Sequence, residues 1–165
     1  ISSSAWNSMC SLPMDVFVFD LDFTIWNAGD TWCSETDPPY SMKEGKLVDQ
    51  TGRWIRLYNE VPAVLEALSK KNKILAIASR TLKPDYAREL IDIFGIGKYF
   101  HIREIYPGSK IAHLSQILEK TGSPPDKVVF FDDEERNIEE TSSLGVSGVL
   151  VTGGVDLATV AAFMD

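Results

Sequence analysis

The sequence predicts a three-layer, doubly wound α/β fold, in which a parallel sheet is covered by helices on both faces. Short apolar runs, rich in β-branched and aromatic residues, alternate with segments whose apolar residues recur at helical spacing. The strand-like runs are continuously apolar, as expected where both faces of a strand are buried. This alternation is typical of an open, Rossmann-like sheet.

Five strands and five helices follow from this pattern. Strands are predicted at residues 16–21, 73–79, 99–106, 127–131 and 146–151. Helices are predicted around residues 61–68, 87–94 and 111–118, and over residues 134–143 and 155–163. Pro62 suits the first turn of the first helix, while Gly95 and Gly122 end the second and third helices.

Composition limits the class of protein. The length of 165 residues fits a single domain, residues 1–165, whose first 14 residues are predicted to form an irregular tail. The net charge of −8 argues against binding to nucleic acid or to a membrane surface through a basic face. A small anionic ligand needs only local positive charge and stays compatible with this composition. We expect a monomer.

Two cysteines, Cys10 and Cys33, are too few for a disulfide framework and lack the spacing of a zinc site. A reducing, cytoplasmic location is therefore the default expectation. The first ten residues lack the basic and apolar regions of a signal peptide. No apolar run reaches the length of about 18 residues that a membrane-spanning helix needs.

One long segment, residues 26–58, interrupts the alternation of strands and helices. It is polar and rich in turn residues, and it directly follows the first predicted strand. A connection of this length inside a domain is usually functional or folded on itself. We interpret it as a small flap over one end of the sheet, too short to form a cap domain. Residues 46–58 suggest a β-hairpin that turns near residues 50–52.

Polar residues capable of chemistry follow four of the predicted strands. They are Asp20 and Asp22 after the first, Ser79 and Arg80 after the second, Lys110 after the third, and Asp132 and Asp133 after the fourth. Ligands of open α/β sheets bind outside the carboxyl ends of the strands. Carboxylate oxygens are the hard ligands that Mg²⁺ prefers, and Mg²⁺ commonly takes a substrate phosphate as a further ligand. A magnesium and phosphate site at this edge is therefore predicted.

Each feature taken alone has a simpler structural explanation. The acidic residues after the fourth strand suit a helix N-terminus, Ser79 suits an N-cap, and Asp22 suits a turn. Asp20 is harder to explain in this way, because the apolar strand before it makes an unpaired carboxylate costly. The occurrence of such residues at four strand ends favours the functional interpretation.

The motifs at these positions resemble those of the haloacid dehalogenase superfamily. "DLDFT" is similar to its DxDx(T/V) nucleophile motif, and Ser79, Lys110 and "FFDDE" are similar to its second, third and fourth motifs. The segments "DLDFTIW", "DPPY", "LYNEVP", "ASRT", "GKYFHIREIYPGSK" and "VVFFDDEERNI" resemble the magnesium-dependent phosphatase 1 family, over residues 16–151. Phe23 and Asn27 depart from that pattern, where the family has Tyr and Pro.

The resemblance implies a haloacid dehalogenase-like fold and a Mg²⁺-dependent phosphomonoester hydrolase. Asp20 would form an aspartyl-phosphate, and Asp22 would transfer protons and offer its backbone carbonyl to the metal. Ser79, Arg80 and Lys110 would hold the phosphoryl oxygens. Asp132 and Asp133 would complete the Mg²⁺ site together with Asp20, and we favour Asp132 as the direct ligand, with Asp133 left open.

Substrates implied by the resemblance are phosphotyrosine-type proteins or peptides, or sugar phosphates that include those on glycated amines. Trp32, Tyr40 and Trp54 could stack on a leaving group or form the core of the flap. A non-catalytic Mg²⁺- and phosphate-binding signalling or scaffold protein on the same fold is the alternative. A receiver domain and a phosphatase for phosphoserine on polymerase tails are further alternatives, each of which fits fewer of the motifs.

Overall fold

Five parallel strands form the central sheet of the computed structural model, which describes residues 13–165 of the chain. The strands of the described chain are β1 (Val16–Phe19), β2 (Trp26–Asn27), β3 (Ser41–Lys43), β4 (Lys46–Val48), β5 (Arg56–Leu57), β6 (Ile74–Ser79), β7 (Ile102–Ile105), β8 (Val128–Asp132) and β9 (Ser147–Leu150). The helices are α1 (Val61–Lys70), α2 (Pro84–Ile93), α3 (Lys110–Thr121), α4 (Glu135–Ser142) and α5 (Leu157–Ala161). The predicted tail at residues 1–14 lies outside the described residues except for its last two.

The central sheet has the strand order β7-β6-β1-β8-β9. β1 pairs in parallel with β6 on one side and with β8 on the other, and Val16 lies opposite both Ile74 and Val128. The chain adds β6 and β7 on one side of β1, and β8 and β9 on the other side. The strand order therefore reverses beside β1, which is where ligands bind in open α/β sheets.

Helices cover both faces of this sheet, as the sequence predicts. Phe17 and Phe19 of β1 point to one face, where buried residues of α1, α2 and α5 pack. Val16 and Val18 point to the other face, against buried residues of α3. Phe131 of β8 stacks on Phe19 with ring centroids 5.2 Å apart. This two-sided burial explains why the strands are continuously apolar.

Helix α3 starts at a well-capped residue next to the carboxyl end of the sheet. The Ser109 side chain accepts a hydrogen bond from the N–H of Ile111, and Gly122 ends the helix with a left-handed φ of 68°. These signals fix the helix between them. Lys110 is consequently the first helical residue, and its long side chain enters the edge of the sheet.

The segment from residue 26 to residue 58 forms two short ladders and, near its end, the predicted turn at residues 50–52. β2 pairs with β5 and β3 pairs with β4, both antiparallel. A turn does form close to the predicted place, because the N–H of Asp49 donates to the carbonyl of Arg53 at 2.9 Å. The predicted hairpin is confirmed over residues 47–55: Val48 forms an antiparallel bridge to Trp54, and the N–H of Ile55 donates to the carbonyl of Leu47 at 3.0 Å. Beyond residue 55 the chain leaves the hairpin, because β5 pairs with the distant β2.

Element boundaries differ from the predicted ones by a few residues. The strand predicted at residues 99–106 is shorter in the structure, where β7 covers only Ile102–Ile105. Its predicted start at residue 99 belongs instead to a 3₁₀ turn, Gly97–Tyr99. The final helix is α5 and is shorter than predicted. Among residues 13–165, no helix combines the length and apolar character that crossing a bilayer requires.

We predict that Gly154→Ala destabilises the protein far more than Gly153→Ala. Both glycines have positive φ, so either alanine costs about 1–2 kcal/mol in backbone strain. A Cβ at Gly154 would also lie 2.1 Å from Cγ of Tyr58, whereas a Cβ at Gly153 meets nothing within 4 Å. The overlap should cost about 1–3 kcal/mol more. Urea unfolding of both variants measures the difference, and equal losses would contradict it.

Candidate active site

The carboxyl ends of three neighbouring strands bring the predicted site residues to one edge of the sheet. Asp20 and Asp22 follow β1, Ser79 ends β6, and Asp132 ends β8. β1 lies between the other two strands, so these ends adjoin. The backbone N–H of Asp20 donates to the carbonyl of Phe131 at 3.0 Å, which continues the β1–β8 pairing one residue beyond β1.

Three carboxylates form a compact group at this edge. One oxygen from each of Asp20, Asp132 and Asp133 lies within 4.8 Å of the others. Asp132 is fully buried and Asp20 is nearly so, while Asp133 is partly exposed. Burial raises the pKa of Asp20, and the nearby Asp132 and Asp133 raise it further, although Lys110 opposes them. Burial also raises the pKa of Asp133 to about 6.

Lys110 neutralises part of this charge from beneath the cleft. Its ammonium donates to Asp20 Oδ1 at 3.0 Å, to Asp132 Oδ2 at 2.8 Å and to the Ala78 carbonyl at 2.6 Å. The side chain is completely buried. Burial alone would lower the pKa of Lys110, but the carboxylates of Asp20 and Asp132 raise it above the usual value. The ammonium has three N–H donors, and all three are engaged by the protein.

The charge balance of this group suits a divalent cation. When all three carboxylates are ionised, they face a single ammonium among residues 13–165, that of Lys110, and two negative charges are left in excess. Burial raises the pKa values of Asp20 and Asp133, and the neighbouring carboxylates raise them further. A cation of charge +2 with a preference for oxygen ligands removes the imbalance, and Mg²⁺ has both properties.

The two aspartates at the end of β8 have different surroundings. Asp132 Oδ1 accepts from the N–H of Glu134 at 2.8 Å, and Oδ2 accepts from Lys110 and from Asn137 Nδ2 at 3.1 Å. Asp133 lines the open cleft, whereas Asp132 does not. These contacts favour Asp133 over Asp132 as the residue with an oxygen free for a metal.

Asp22 is held apart from the carboxylate group. Its Oδ1 accepts from Trp26 Nε1 at 3.0 Å and from the backbone N–H of Cys33 at 2.8 Å. Burial raises the pKa of Asp22, and these hydrogen bonds oppose the rise. The side chain of Asp22 thus has its own set of partners, separate from Asp20, Asp132 and Asp133.

Ser79 is the last residue of β6, and Arg80 directly follows it; both line the cleft described below. Ser79 is buried, and its Oγ accepts from the N–H of Thr81 at 3.3 Å. This leaves its hydroxyl hydrogen available to a ligand. Arg80 is partly buried and donates to Asn137 Oδ1 at 3.2 Å.

A cleft of about 230 Å³ opens above these groups. It is lined by Asp20, Asp22, Trp32, Ser34, Ser79, Arg80, Thr81, Leu82, Asp133, Glu134, Arg136 and Asn137. The structure therefore brings Asp20, Asp22, Ser79, Arg80 and Asp133 to one cavity. Lys110 and Asp132 do not line the cleft; Lys110 contacts both Asp20 and Asp132.

The aromatic residues of the flap segment have separate roles. Trp32 lines the cleft and is 51% exposed. Tyr40 hydrogen bonds through its hydroxyl to Thr36 Oγ1 at 2.6 Å, and Trp54 packs under the guanidinium of Arg56. Of these three aromatic residues, only Trp32 lines the cleft, where it could contact a substrate.

Comparisons with known proteins identify the family of this chain. The acid phosphatase family profile matches residues 12–164. The chain is 42% identical to human magnesium-dependent phosphatase 1, over 92% of this chain and 85% of that protein. It is 33% identical to a HAD-like hydrolase superfamily protein of Schizosaccharomyces pombe, over 79% of this chain and 81% of that protein.

The chain belongs to the magnesium-dependent phosphatase 1 family of the haloacid dehalogenase superfamily. A haloacid dehalogenase family enzyme of Bacteroides thetaiotaomicron shares the fold, with a TM-score of 0.66 at 14% identity. The match covers 89% of this chain and 98% of that one, which was crystallised with magnesium and inorganic phosphate. The predicted family and fold class are both confirmed.

Several residues of this family member's site were missed by the sequence analysis. Asn137 is buried and donates to Asp132 and to Glu134, while its oxygen accepts from Arg80. Cys33 supplies its backbone N–H to Asp22. Asn137 lies one turn inside the helix after the fourth motif, a weak signal. No sequence signal marks Cys33, since its contact depends on how the flap segment folds.

We predict that Lys110→Met in this phosphatase family member lowers the free energy of unfolding by about 3–5 kcal/mol, because it leaves buried carboxylates unpaired. The measurement is urea unfolding at pH 8 with EDTA present, so that no divalent cation compensates. Lys70→Met is the control: Lys70 is 75% exposed and pairs with Glu66 at 3.8 Å. The control should lose no more than about 1 kcal/mol. Similar losses for both variants would contradict a structural role for Lys110.

Proposed function

We propose that this chain hydrolyses phosphomonoesters with Mg²⁺ as its cofactor, through a covalent aspartyl-phosphate on Asp20. By family the chain is a magnesium-dependent phosphatase. The observation that carries the mechanism is the placement of Asp20. Its carboxylate lines the cleft within a group of three carboxylates that only one ammonium balances, while Asp22 is held nearby by other partners.

The residues that would hold Mg²⁺ are the carboxylates of Asp20 and Asp133 and the backbone carbonyl of Asp22. Asp132 supports the site by fixing Lys110 and Asn137, since both of its oxygens already accept hydrogen bonds. When bound, Mg²⁺ neutralises charge between the attacking carboxylate and the phosphate, and it stabilises the charge that spreads in the transition state.

In the first step, a carboxylate oxygen of Asp20 attacks phosphorus, and the bond from phosphorus to the ester oxygen breaks. Asp22, protonated at this stage, gives its proton to the leaving oxygen. In the second step, water attacks the aspartyl-phosphate, Asp22 takes a proton from that water, and inorganic phosphate leaves. Asp20 is regenerated as a carboxylate, so the cycle closes without any other reactant.

Ser79 and Arg80 are proposed to bind the phosphoryl oxygens. The hydroxyl hydrogen of Ser79 is free to donate, and Arg80 lies in the same wall of the cleft. Lys110 supplies positive charge beneath Asp20, and it would reach a phosphoryl oxygen only by giving up one of its three present acceptors. The main role of Lys110 in this proposal is to hold Asp20 in position for attack.

The proposed substrates are phosphotyrosine-type proteins or peptides, or sugar phosphates such as those on glycated amines. An open cleft supports substrates that carry the phosphate on a larger group. Trp32 and Leu82, 51% and 71% exposed, offer apolar surface beside the phosphate site. Arg136 adds a cation to the same cleft.

The single-domain description, with residues 26–58 as a flap, is likewise part of our proposal, as are the monomeric state and the cytoplasmic location. The flap assignment is supported by Trp32 and Ser34, which line the cleft. A cytoplasmic location is supported by Cys33, which is a buried free thiol. A reducing compartment keeps thiols of this kind unpaired.

We predict that Asp20→Asn lowers kcat for p-nitrophenyl phosphate by about 10³-fold or more, because an amide oxygen is a poor nucleophile. EDTA should abolish wild-type turnover, and Mg²⁺ should restore it. Turnover is measured by release of p-nitrophenol, and circular dichroism confirms that the variant is folded. Near-native activity of the variant would contradict the covalent mechanism. A wild-type protein that binds Mg²⁺ and phosphate without turnover would favour the scaffold alternative.

Beryllofluoride provides the control for the covalent step, because it mimics a phosphoryl group bound to a carboxylate. With Mg²⁺ present, beryllofluoride should raise the Tm of the wild-type protein, since a ligand that binds the native state stabilises it. Asp20→Asn should show no such rise. An equal rise in both proteins would mean that the mimic binds elsewhere.

We predict that kcat/KM for a phosphotyrosine peptide or for a phosphorylated glycated lysine exceeds that for a phosphoserine peptide by about tenfold or more. The reason is that Trp32 and Leu82 can cover the flat or extended group next to the phosphate. Phosphate release from each substrate measures this preference. Trp32→Ala should reduce it, and a preference for the phosphoserine peptide would overturn the proposed substrate class.

A further inference from the structure

Two N–H donors hold one oxygen of the Asp22 carboxylate, Oδ1. Oδ1 accepts from Trp26 Nε1 at 3.0 Å and from the backbone N–H of Cys33 at 2.8 Å. Oδ2 has a much weaker partner, the thiol of Cys33 at 3.5 Å. Trp26 and Cys33 are both fully buried, so their positions are fixed by packing.

This asymmetry decides which oxygen can carry a proton. A proton on Oδ1 would face two N–H donors, so the protonated form of Asp22 must carry it on Oδ2. The two donors also prevent the carboxyl group from rotating about its χ2 angle, which is otherwise a broad torsion. The arrangement therefore presents Oδ2 as the acidic oxygen in one fixed orientation.

We propose that Trp26 and Cys33 are positioning residues that aim Oδ2 of Asp22 at the leaving oxygen of the substrate. This inference rests on the proposed function and extends it to two residues outside the motifs. The proton passes from Oδ2 to the ester oxygen as the bond from that oxygen to phosphorus breaks. Trp26 and Cys33 do not exchange protons in this step and act only through Asp22.

Cys33 also connects Asp22 to Thr81 and Ser79, which line the proposed phosphate site. Its thiol lies 3.7 Å from Thr81 Oγ1, and Thr81 in turn donates its backbone N–H to Ser79 Oγ. The side chain of Thr36 donates to the carbonyl of Cys33 at 2.6 Å, which fixes this turn of the flap segment. The orientation of the acid and the shape of the phosphate site are thus set by one contiguous set of contacts.

The test uses leaving groups that differ in their need for an acid. p-Nitrophenolate departs readily without a proton, whereas phenolate and alkoxides need one, as the pKa of about 10 for a tyrosine-type phenol indicates. Trp26→Phe removes the N–H donor and keeps an aromatic ring. We expect kcat/KM for phenyl phosphate and glycerol phosphate to fall about tenfold or more, and that for p-nitrophenyl phosphate to stay within about threefold.

The quantity kcat/KM is chosen because it reports only the steps up to formation of the aspartyl-phosphate. Phe94→Leu is the matched control, since Phe94 packs on Trp26 with ring centroids 6.0 Å apart and donates nothing to Asp22. It should lower kcat/KM for all three esters to the same extent, if at all. An equal loss with every ester in Trp26→Phe would overturn the positioning role.

Cys33→Pro gives a second test that does not depend on a folded Trp26 variant. It removes the backbone N–H that donates to Oδ1 of Asp22, at the first residue of a 3₁₀ turn that follows an extended residue, where Pro is tolerated. It should lower kcat/KM for phenyl phosphate and glycerol phosphate more than that for p-nitrophenyl phosphate, whereas Cys33→Ala, which keeps this N–H, should change kcat/KM for every ester to the same extent. An equal loss with every ester in Cys33→Pro would overturn the positioning role of Cys33. A wild-type protein inactive toward all three esters would instead refute the proposed function itself.

Discussion

The buried ammonium of Lys110 is the contact on which the rest of the site depends. It joins the end of β1 through Asp20, the end of β8 through Asp132 and the end of β6 through the Ala78 carbonyl. A buried charge is costly unless all its donors are paired, and here all are. These contacts of one ammonium therefore fix three strand ends relative to α3 and set the position of the Asp20 carboxylate.

The contacts of Lys110 neutralise only part of the negative charge of the site. One ammonium cannot balance the carboxylates of Asp20, Asp132 and Asp133 when all three are ionised. Burial raises the pKa of Asp20, and the other two carboxylates raise it further. A protein that only needed a stable core would gain little from such a group, because buried ion pairs are weak sources of stability. In the proposed mechanism this excess of negative charge would hold a divalent cation, which would offset the charge of the carboxylates and of a bound phosphate.

The sequence predicted the central sheet well because its strands are buried on both faces and read as continuous apolar runs. It also placed Asp20 and Ser79 at one edge, because parallel strands expose their carboxyl ends together. It could not predict that β2 pairs with β5, since two-residue ladders carry no periodic signal. Nor could it predict the contact of Cys33 with Asp22, which joins residues eleven positions apart through the fold of an irregular segment.

The contact between Cys33 and Asp22 gives the flap segment, residues 26–58, a structural role at the cleft. The segment lines the cleft through Trp32, and its next residue, Cys33, holds the carboxylate of Asp22. A substrate that displaces Trp32 would therefore also move the backbone N–H that orients Asp22. In the proposed mechanism, recognition of the leaving group and delivery of its proton would be coupled, because the adjacent residues Trp32 and Cys33 serve both. Such coupling favours substrates whose leaving groups fit against Trp32 without shifting the turn.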